Sequence, residues 1–215
     1  MLKYNLFIFC SLFTLSTLAQ TDVGSWLIYK NKLNINSNTS IDLQYQHRSF
    51  DLDLAKDQAL FTAGFSSLLA PNITLSGGYR KIAAINEDGA YQKLAFITQI
   101  NKVRFINAVF VEERWINKDL QLRYRFGLTA SLPLTAKLTF SLSEEIFLQN
   151  WGSGFNQNRF TAQVSNNLSQ ELKLNTGIMH WQFPTMKKWV FLISLAHNIS
   201  LQQKTYRRQG FVFNE

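Results

Sequence analysis

The chain has 215 residues, of which 46% are hydrophobic and 14% aromatic, and its 22 Lys and Arg outnumber 14 Asp and Glu to give a formal net charge of +8. Ten Gly and three Pro exclude a collagen-like or proline-rich chain, and 18 Phe residues argue against intrinsic disorder. The length fits one compact domain.

The first 19 residues have the layout of a cleaved secretory signal. Lys3 supplies the positive charge, Leu6 to Leu15 form an apolar stretch, and Thr17-Leu18-Ala19 resembles a cleavage site. A membrane anchor is the alternative, but it would need roughly 20 apolar residues, and this run is shorter. We therefore expect a signal peptide at 1–19 and a single mature domain at 20–215.

The only cysteine in the chain is Cys10, which lies inside the predicted leader. The mature domain is therefore expected to contain no disulfide, no thiolate metal site and no cysteine nucleophile. Backbone hydrogen bonds and packing must hold it together, which favours a closed or well-layered sheet.

Downstream of the leader, apolar and polar residues alternate with a period of two, the pattern of β-strands. Ile41, Leu43 and Tyr45 alternate with Asp42, Gln44 and Gln46, and the same pattern returns at 120–129, 138–148 and 159–168. Turn residues separate eleven predicted strands, which lie near 24–35, 40–50, 58–69, 73–85, 90–100, 104–116, 120–132, 137–150, 159–169, 172–183 and 189–202. No window shows a helical period.

The length of these segments indicates the class of fold. Many exceed the roughly 5–6 residues of a typical soluble strand and reach the 9–11 that a tilted strand needs to cross a bilayer. We predict an all-β, single antiparallel transmembrane β-barrel of the outer membrane. Because single-chain bacterial barrels have an even number of strands, ten or twelve are both open, and Thr205 to Phe213 would supply a twelfth.

The polar residues of the strands suit an enclosed interior. They are mostly Ser, Thr, Gln and Asn with paired Arg, rather than the Lys and Glu of a solvated surface. In an outer-membrane barrel the apolar face meets lipid and the polar face lines the lumen. Tryptophans near strand ends are then expected to form aromatic girdles at the membrane interfaces. The alternative is that they pack in the core of a soluble protein. These residues are Trp26, Trp115, Trp151, Trp181 and Trp189.

Connections between the segments alternate in length. Short links fall at 36–39, 70–72, 101–103, 133–136 and 170–171, and most of the others are longer. Outer-membrane barrels have short periplasmic turns and longer outer loops. If the short turns are periplasmic, the first strand starts on the outer side.

Six short segments carry a resemblance to a known family. The segments are Gly24-Ser25-Trp26, Gly78-Tyr79-Arg80, Glu112-Glu113-Arg114-Trp115, Leu122-Arg123-Tyr124-Arg125-Phe126, Glu144-Glu145-Ile146-Phe147 and Phe155-Asn156-Gln157-Asn158-Arg159. With these segments the chain resembles the outer-membrane barrel family catalogued as domain of unknown function 2490 (DUF2490), which implies a Gram-negative outer-membrane barrel and brings no established activity.

Charged residues on successive polar faces form the main candidate site. If consecutive strands pair, the side chains of six such residues form a ladder of ion pairs across the lumen wall. The six are Glu112, Arg114, Arg123, Arg125, Glu145 and Arg159. Glu113 is the alternative to Glu112 as the residue that faces inward. One interpretation is a packed plug in which paired charges satisfy one another. The other is an anion-attracting constriction, because Arg outnumbers Glu by four to two.

Signals of catalysis are weak. His47 and Ser49 share a strand face and are similar to the pair in lipid A deacylase barrels, but the following predicted strand has no Glu to orient the His. The three His residues have no metal-site spacing. We therefore expect no catalytic residues, no cofactor and no metal.

The expected role is a non-enzymatic outer-membrane barrel that acts as a narrow pore or as a structural or docking component. The alternatives are a lipid-modifying hydrolase and a soluble periplasmic barrel that binds an apolar ligand. Lys187-Lys188 and Arg207-Arg208 are expected to contact outer-membrane lipid headgroups or lipopolysaccharide phosphates rather than nucleic acid. Protein partners and oligomeric state are open.

Overall fold

The computed structural model describes residues 23–52, 57–149 and 154–201. The predicted leader at 1–19, Trp151, Arg207-Arg208 and the possible twelfth strand at 205–213 lie outside these residues. The described strands are β1 (Val23–Asn34), β2 (Thr39–Ser49), β3 (Gln58–Ala70), β4 (Ile73–Ile82), β5 (Glu87–Ile100), β6 (Val103–Ile116), β7 (Asp119–Pro133), β8 (Leu138–Gln149), β9 (Phe155–Asn167), β10 (Leu172–Gln182) and β11 (Lys187–Ser200).

The eleven strands close into one barrel in which each strand pairs with its neighbours in the chain and β1 pairs with β11. The predicted all-β barrel is confirmed. The expected even strand number and purely antiparallel sheet are wrong for the described barrel, because every hairpin reverses the chain and an odd number leaves β1 and β11 running the same way. They pair in parallel, from Val23 opposite Trp189 to Asn34 opposite Ser200.

The two ends of the barrel differ in their connections. At the leading end, where β1 begins, the strands are joined through 50–57, 83–86, 117–118, 150–154 and 183–186. At the trailing end, where β1 ends, they are joined through 35–38, 71–72, 101–102, 134–137 and 168–171. With eleven strands, Val23 and Ser200 lie at opposite ends of the barrel.

One predicted loop is wrong. Residues 86–89 were expected to be a loop, but β5 begins at Glu87. The chain turns through a short 3₁₀ helix at Ala83–Ile85 and through Asn86, whose φ of 47° is left-handed. Asn tolerates this conformation better than most residues, so the turn ends early and Glu87 joins the sheet. No helix among the described residues is long and apolar enough to cross a membrane.

The alternating side chains point to opposite faces of the barrel. On ten of the eleven strands at least one large hydrophobic side chain is exposed, for example Tyr29, Tyr45, Phe65, Tyr79, Phe96, Val109, Phe126, Leu142, Phe160 and Ile193. The polar residues of the same strands line the lumen. The outer face is therefore apolar, whereas the lumen contains the charged side chains together with apolar ones such as Phe110 and Met179.

Two of the tryptophans expected in outer girdles lie inside the barrel instead. Trp26 and Trp181 are only 4% and 7% exposed and line the lumen, because they share the parity of the inward-facing residues. Trp115 is 37% exposed on the opposite face of its strand from the lumen-lining Arg114.

Candidate functional site in the barrel lumen

The barrel encloses a cavity of about 1310 Å³ that runs along the lumen. Among the described residues, ten Lys and Arg line it against five carboxylates, so the lumen is strongly positive. The five carboxylates are Asp42, Glu87, Glu112, Glu145 and Glu171.

The two halves of the lumen are filled differently. In the trailing half, small hydroxyl side chains contact one another across the strands, as in the pairs Ser66–Ser76 at 2.8 Å and Ser131–Ser141 at 2.9 Å. In the leading half, large Arg, Glu and aromatic side chains meet. The leading half holds the candidate site.

Glu112 is the centre of one group of ion pairs. It is 3% exposed, and its Oε2 lies 2.5 Å from Nη2 of Arg123, its cross-strand partner on β7. Arg125 lies 3.6 Å away and Arg80, two strands away on β4, lies 3.7 Å away. One carboxylate thus faces three guanidinium groups, and Glu112 rather than the half-buried Glu113 lines the lumen.

Glu87 is the centre of a second group that the sequence did not reveal. Its side chain has no exposed surface, and it accepts hydrogen bonds from Arg114 and from Arg80, the latter at 2.5 Å. Arg114 also donates a hydrogen bond to Gln149 at 3.2 Å. Glu87 was not among the candidate residues because residue 87 was expected in a loop, and Arg80, although in a predicted strand, was not among them either.

The six candidate residues all line the lumen, but they do not form one continuous ladder. Arg114 pairs with Glu87 rather than with a member of the six. Oε1 of Glu145 lies 3.8 Å from Nε of Arg125. The cross-strand partner of Glu145 on β9 is Arg159, but no ion pair joins these two described residues. We call the joined residues the charge network: Arg80, Glu87, Glu112, Arg114, Arg123, Arg125 and Glu145.

An aromatic cluster fills the other side of the leading half. It consists of Trp26, Met179, Trp181, Val190 and Leu192, with Phe50 and Phe183 packed against it. The rings of Trp26 and Trp181 meet edge to face at 5.1 Å, and Trp181 donates a hydrogen bond from Nε1 to Gln157 at 2.6 Å. The cluster therefore presents ring faces as well as apolar bulk to the lumen.

Two arginines lie between the charge network and the aromatic cluster. The guanidinium of Arg48 is 4.1 Å from the ring centre of Trp26. That of Arg159 lies 4.6 Å from Phe147, 5.1 Å from Trp181 and 5.3 Å from Trp26. We call Arg48 and Arg159 the cation pair, because both guanidinium groups reach the same indole ring; Arg48 was not among the candidate residues.

The catalytic candidates on β2 face away from the lumen. His47 and Ser49 lie on the outward face of β2, and Ser49 has no exposed surface. Its hydroxyl accepts a hydrogen bond from the backbone N–H of Asp51 at 3.3 Å. Within the described ranges, no group of three His, Cys, Asp or Glu residues is placed to hold a metal ion.

Each of the six sequence segments that carry the family resemblance contributes to this part of the lumen. Trp26, Arg80, Arg114, Arg123, Phe147 and Arg159 come from the six in turn. Over residues 23–191 the chain matches the family described as "Protein of unknown function (DUF2490)". The chain belongs to this family. Compared with curated proteins, it has no significant match.

The matched DUF2490 region begins at the first residue of β1 and ends within β11. It therefore contains the charge network, the cation pair and most of the barrel wall. The network can hold its own charges by pairing them, whereas no described carboxylate lies within ion-pair distance of the cation pair. The excess of positive charge in the lumen can attract anions and donate hydrogen bonds to them.

Proposed function

We propose that this DUF2490 protein is a non-enzymatic, integral barrel of the outer membrane of a Gram-negative bacterium, with a narrow lumen that favours small anions. The observation that carries the proposal is the reversed polarity of the barrel, with large hydrophobic side chains exposed on ten of eleven strands and charged ones inside. In water such a continuous apolar surface would drive aggregation, whereas in a bilayer it meets hydrocarbon.

Strand length supports the same location. The shortest strand, β4, has 10 residues and the longest, β7, has 15. A tilted strand needs about 9–11 residues to cross the hydrocarbon layer. Every strand can therefore span a bilayer. Contact with lipid headgroups and lipopolysaccharide follows for rim residues such as Lys187, which is exposed, while Lys188 is buried towards the lumen.

The preference for anions follows from the lumen charge. Ten cationic side chains face five carboxylates, and Lys30 and Lys32 on β1 are exposed to the open part of the cavity. In a narrow space walled by protein, such an excess attracts anions and repels cations. A soluble barrel that carries an apolar ligand would need a lumen without this excess of charge, whereas here the aromatic cluster covers only one side of the leading half.

Two experiments test this proposal. The full chain, expressed in a Gram-negative host, is expected in the outer-membrane fraction after carbonate washing, and to migrate differently on gels with and without heating. Purified into planar bilayers, it is expected to conduct small anions in preference to cations. A mature chain that stays in solution without detergent would overturn the membrane location.

The hydrolase alternative has its own test. If His47 and Ser49 act on lipid, His47→Ala or Ser49→Ala removes a deacylation that the unaltered protein performs on lipopolysaccharide. We expect no deacylation from either form. Activity that depends on these residues would instead identify an enzyme.

A further inference from the structure

We propose that the lumen binds the oxyanion group of a small soluble solute, a phosphate or a carboxylate, at the cation pair Arg48 and Arg159. Neither arginine forms an ion pair with the charge network, and the binding test does not depend on the membrane location or on conductance.

The first step concerns Arg48, a buried charge for which the described residues supply no counter-ion. It is 6% exposed, and its hydrogen bonds go to the amide oxygens of Gln46, at 2.7 and 2.9 Å, and of Gln58, at 3.0 Å. No described carboxylate lies within ion-pair distance of it. Burying a guanidinium against neutral partners is costly, and an anion would offset that cost.

The second step concerns Arg159, which has no hydrogen-bond partner among the described residues. Its Nε is fully buried and unsatisfied, three ring centres lie 4.6–5.3 Å from the guanidinium, and its cross-strand neighbour Glu145 does not come within ion-pair distance. Ring faces attract a cation but do not accept its N–H groups in the way that an oxygen does. Arg159 therefore keeps its donors for a partner that the described chain does not supply.

The third step is the kind of atom left unsatisfied in this region. Among the described residues, the buried side-chain atoms without a partner include the N–H donors of Trp26, Arg125 and Arg159, together with two serine hydroxyls, and no amide, carbonyl or carboxylate oxygen. Native interiors rarely leave such donors orphaned. A shortage of acceptors next to an excess of positive charge indicates an anionic acceptor.

The fourth step is the route by which a solute would arrive. Lys32 and Lys30 are exposed along the trailing part of the lumen, and the side chain of Arg125 is 18% exposed. Cationic side chains along a narrow passage raise the local concentration of anions. A solute that enters from the trailing end thus passes these cationic side chains before it reaches Arg159 and Arg48.

The ligand class follows from the geometry of guanidinium groups. Each offers a planar fork of N–H donors that matches two oxygens of one phosphate or carboxylate. Chloride offers a single centre and uses such forks less well. We therefore expect phosphate and citrate to bind more tightly than chloride at the same ionic strength.

The experiment is isothermal titration of the full chain, folded in detergent micelles, with inorganic phosphate and separately with citrate, at ionic strength held constant with chloride. Saturable binding is expected for the unaltered protein. Arg48→Gln and Arg159→Gln are each expected to weaken it about tenfold or more, because each removes charge-assisted hydrogen bonds. The matched control is Lys137→Gln, because Lys137 is exposed at the trailing end and does not line the lumen. This variant loses the same charge, and its binding is expected to be unchanged.

Folding of each variant is checked by its heat-dependent gel migration. If a Gln variant fails to fold, Arg48→Lys and Arg159→Lys decide, since they keep the charge and lose the fork, and weaker binding is expected. Absence of saturable binding by the unaltered protein, or unchanged binding by folded variants, would overturn the proposal. So would binding to vesicles that contain lipopolysaccharide without binding of free phosphate or citrate.

Discussion

Arg114 donates two hydrogen bonds to Glu87, from Nε to Oε1 at 3.0 Å and from Nη2 to Oε2 at 2.6 Å, and so joins β6 to the first residue of β5. The same carboxylate also accepts a hydrogen bond from Arg80 on β4. Three neighbouring strands are therefore tied through one buried side chain.

Removing the charge of Glu87 is expected to destabilise the barrel strongly. In Glu87→Gln, Arg80 and Arg114 both lose their closest anion while they stay buried, and breaking a buried pair in this way costs about 3–5 kcal/mol. Denaturant unfolding of the detergent-folded protein measures the loss.

The matched control is the next residue. Asp88 faces outward and pairs with the exposed Lys81 at 3.1 Å, so Asp88→Asn removes the same charge from a solvated position. Little change is expected, since exposed ion pairs contribute little. Equal effects of the two substitutions would show that burial of Glu87 does not matter.

The faces of the strands could be predicted from the sequence, but the partners of the charges could not. The alternation at Ile41 to Gln46 already separates outside from inside, because a period of two leaves no choice. Ion pairing is different, since long side chains reach past the adjacent strand, as Arg80 of β4 reaches Glu112 of β6. A prediction restricted to consecutive strands misses such a contact.

Two other features were missed although the sequence contains their signal. The inward position of Trp26 follows from its parity with Lys30 and Lys32, yet its size suggested an interfacial anchor. The parallel closure of β1 on β11 follows once all eleven predicted strands are kept in one barrel, but the usual even strand number of bacterial barrels argued against that count. Both features matter for the candidate site, because Trp26 on β1 lies beside β11 and against the cation pair.

A charge on the outer face is expected to be tolerated near the rim and not near the middle of the barrel. Phe126 lies near the middle of β7 and is 45% exposed, while Leu120 lies near its start and is 57% exposed. In a bilayer, Arg near the midplane costs about 2–4 kcal/mol and near the interface about 0–1 kcal/mol.

Unfolding of Phe126→Arg and Leu120→Arg in lipid vesicles measures this difference. Both residues share a strand and a face, so differences in strand pairing are small. Phe126→Arg is expected to lose much more stability. A similar small loss for both would mean that the outer face meets water rather than hydrocarbon.

Anion preference is expected to depend on the lysines that are exposed to the lumen. Lys30 and Lys32 line the open part of the cavity, whereas Arg123 is bound to Glu112 and its replacement would disturb the charge network. The double change Lys30→Glu and Lys32→Glu reverses two charges at exposed positions, so the barrel should still fold.

Reversal potentials in planar bilayers under a salt gradient measure the preference. We expect the reversal potential of the Lys30→Glu and Lys32→Glu variant to shift clearly towards cation preference. The control is Lys137→Glu with Lys102→Glu, which reverses two charges at trailing-end turns outside the cavity lining. Its reversal potential should stay close to that of the unaltered protein. Identical potentials for the three proteins would place the selectivity elsewhere.

Gly64 on β3 and Gly78 on β4 lie opposite each other and offer a sharp test of packing inside the barrel. A Cβ on Gly78 would lie 2.7 Å from Cα of Gly64 and 2.8 Å from Cε1 of Tyr91, whose hydroxyl in turn would lie 2.5 Å from a Cβ on Gly64. Tyr91 on β5 thus rests on a flat patch of backbone made by two glycines that face each other on β3 and β4. A Cβ on Gly77 would meet nothing closer than 3.5 Å.

Gly78→Ala is therefore expected to force Tyr91 and the β3 backbone apart, at about 1–3 kcal/mol, which is typical of overpacking. Gly77→Ala adds the same methyl group one residue away, on the opposite face, and should leave stability nearly unchanged or slightly raised. Denaturant midpoints of the two variants, measured in the same detergent, decide between them. Equal midpoints would mean that Tyr91 does not rest on this patch, and the lumen would then have to be wider beside β4 than the structure shows.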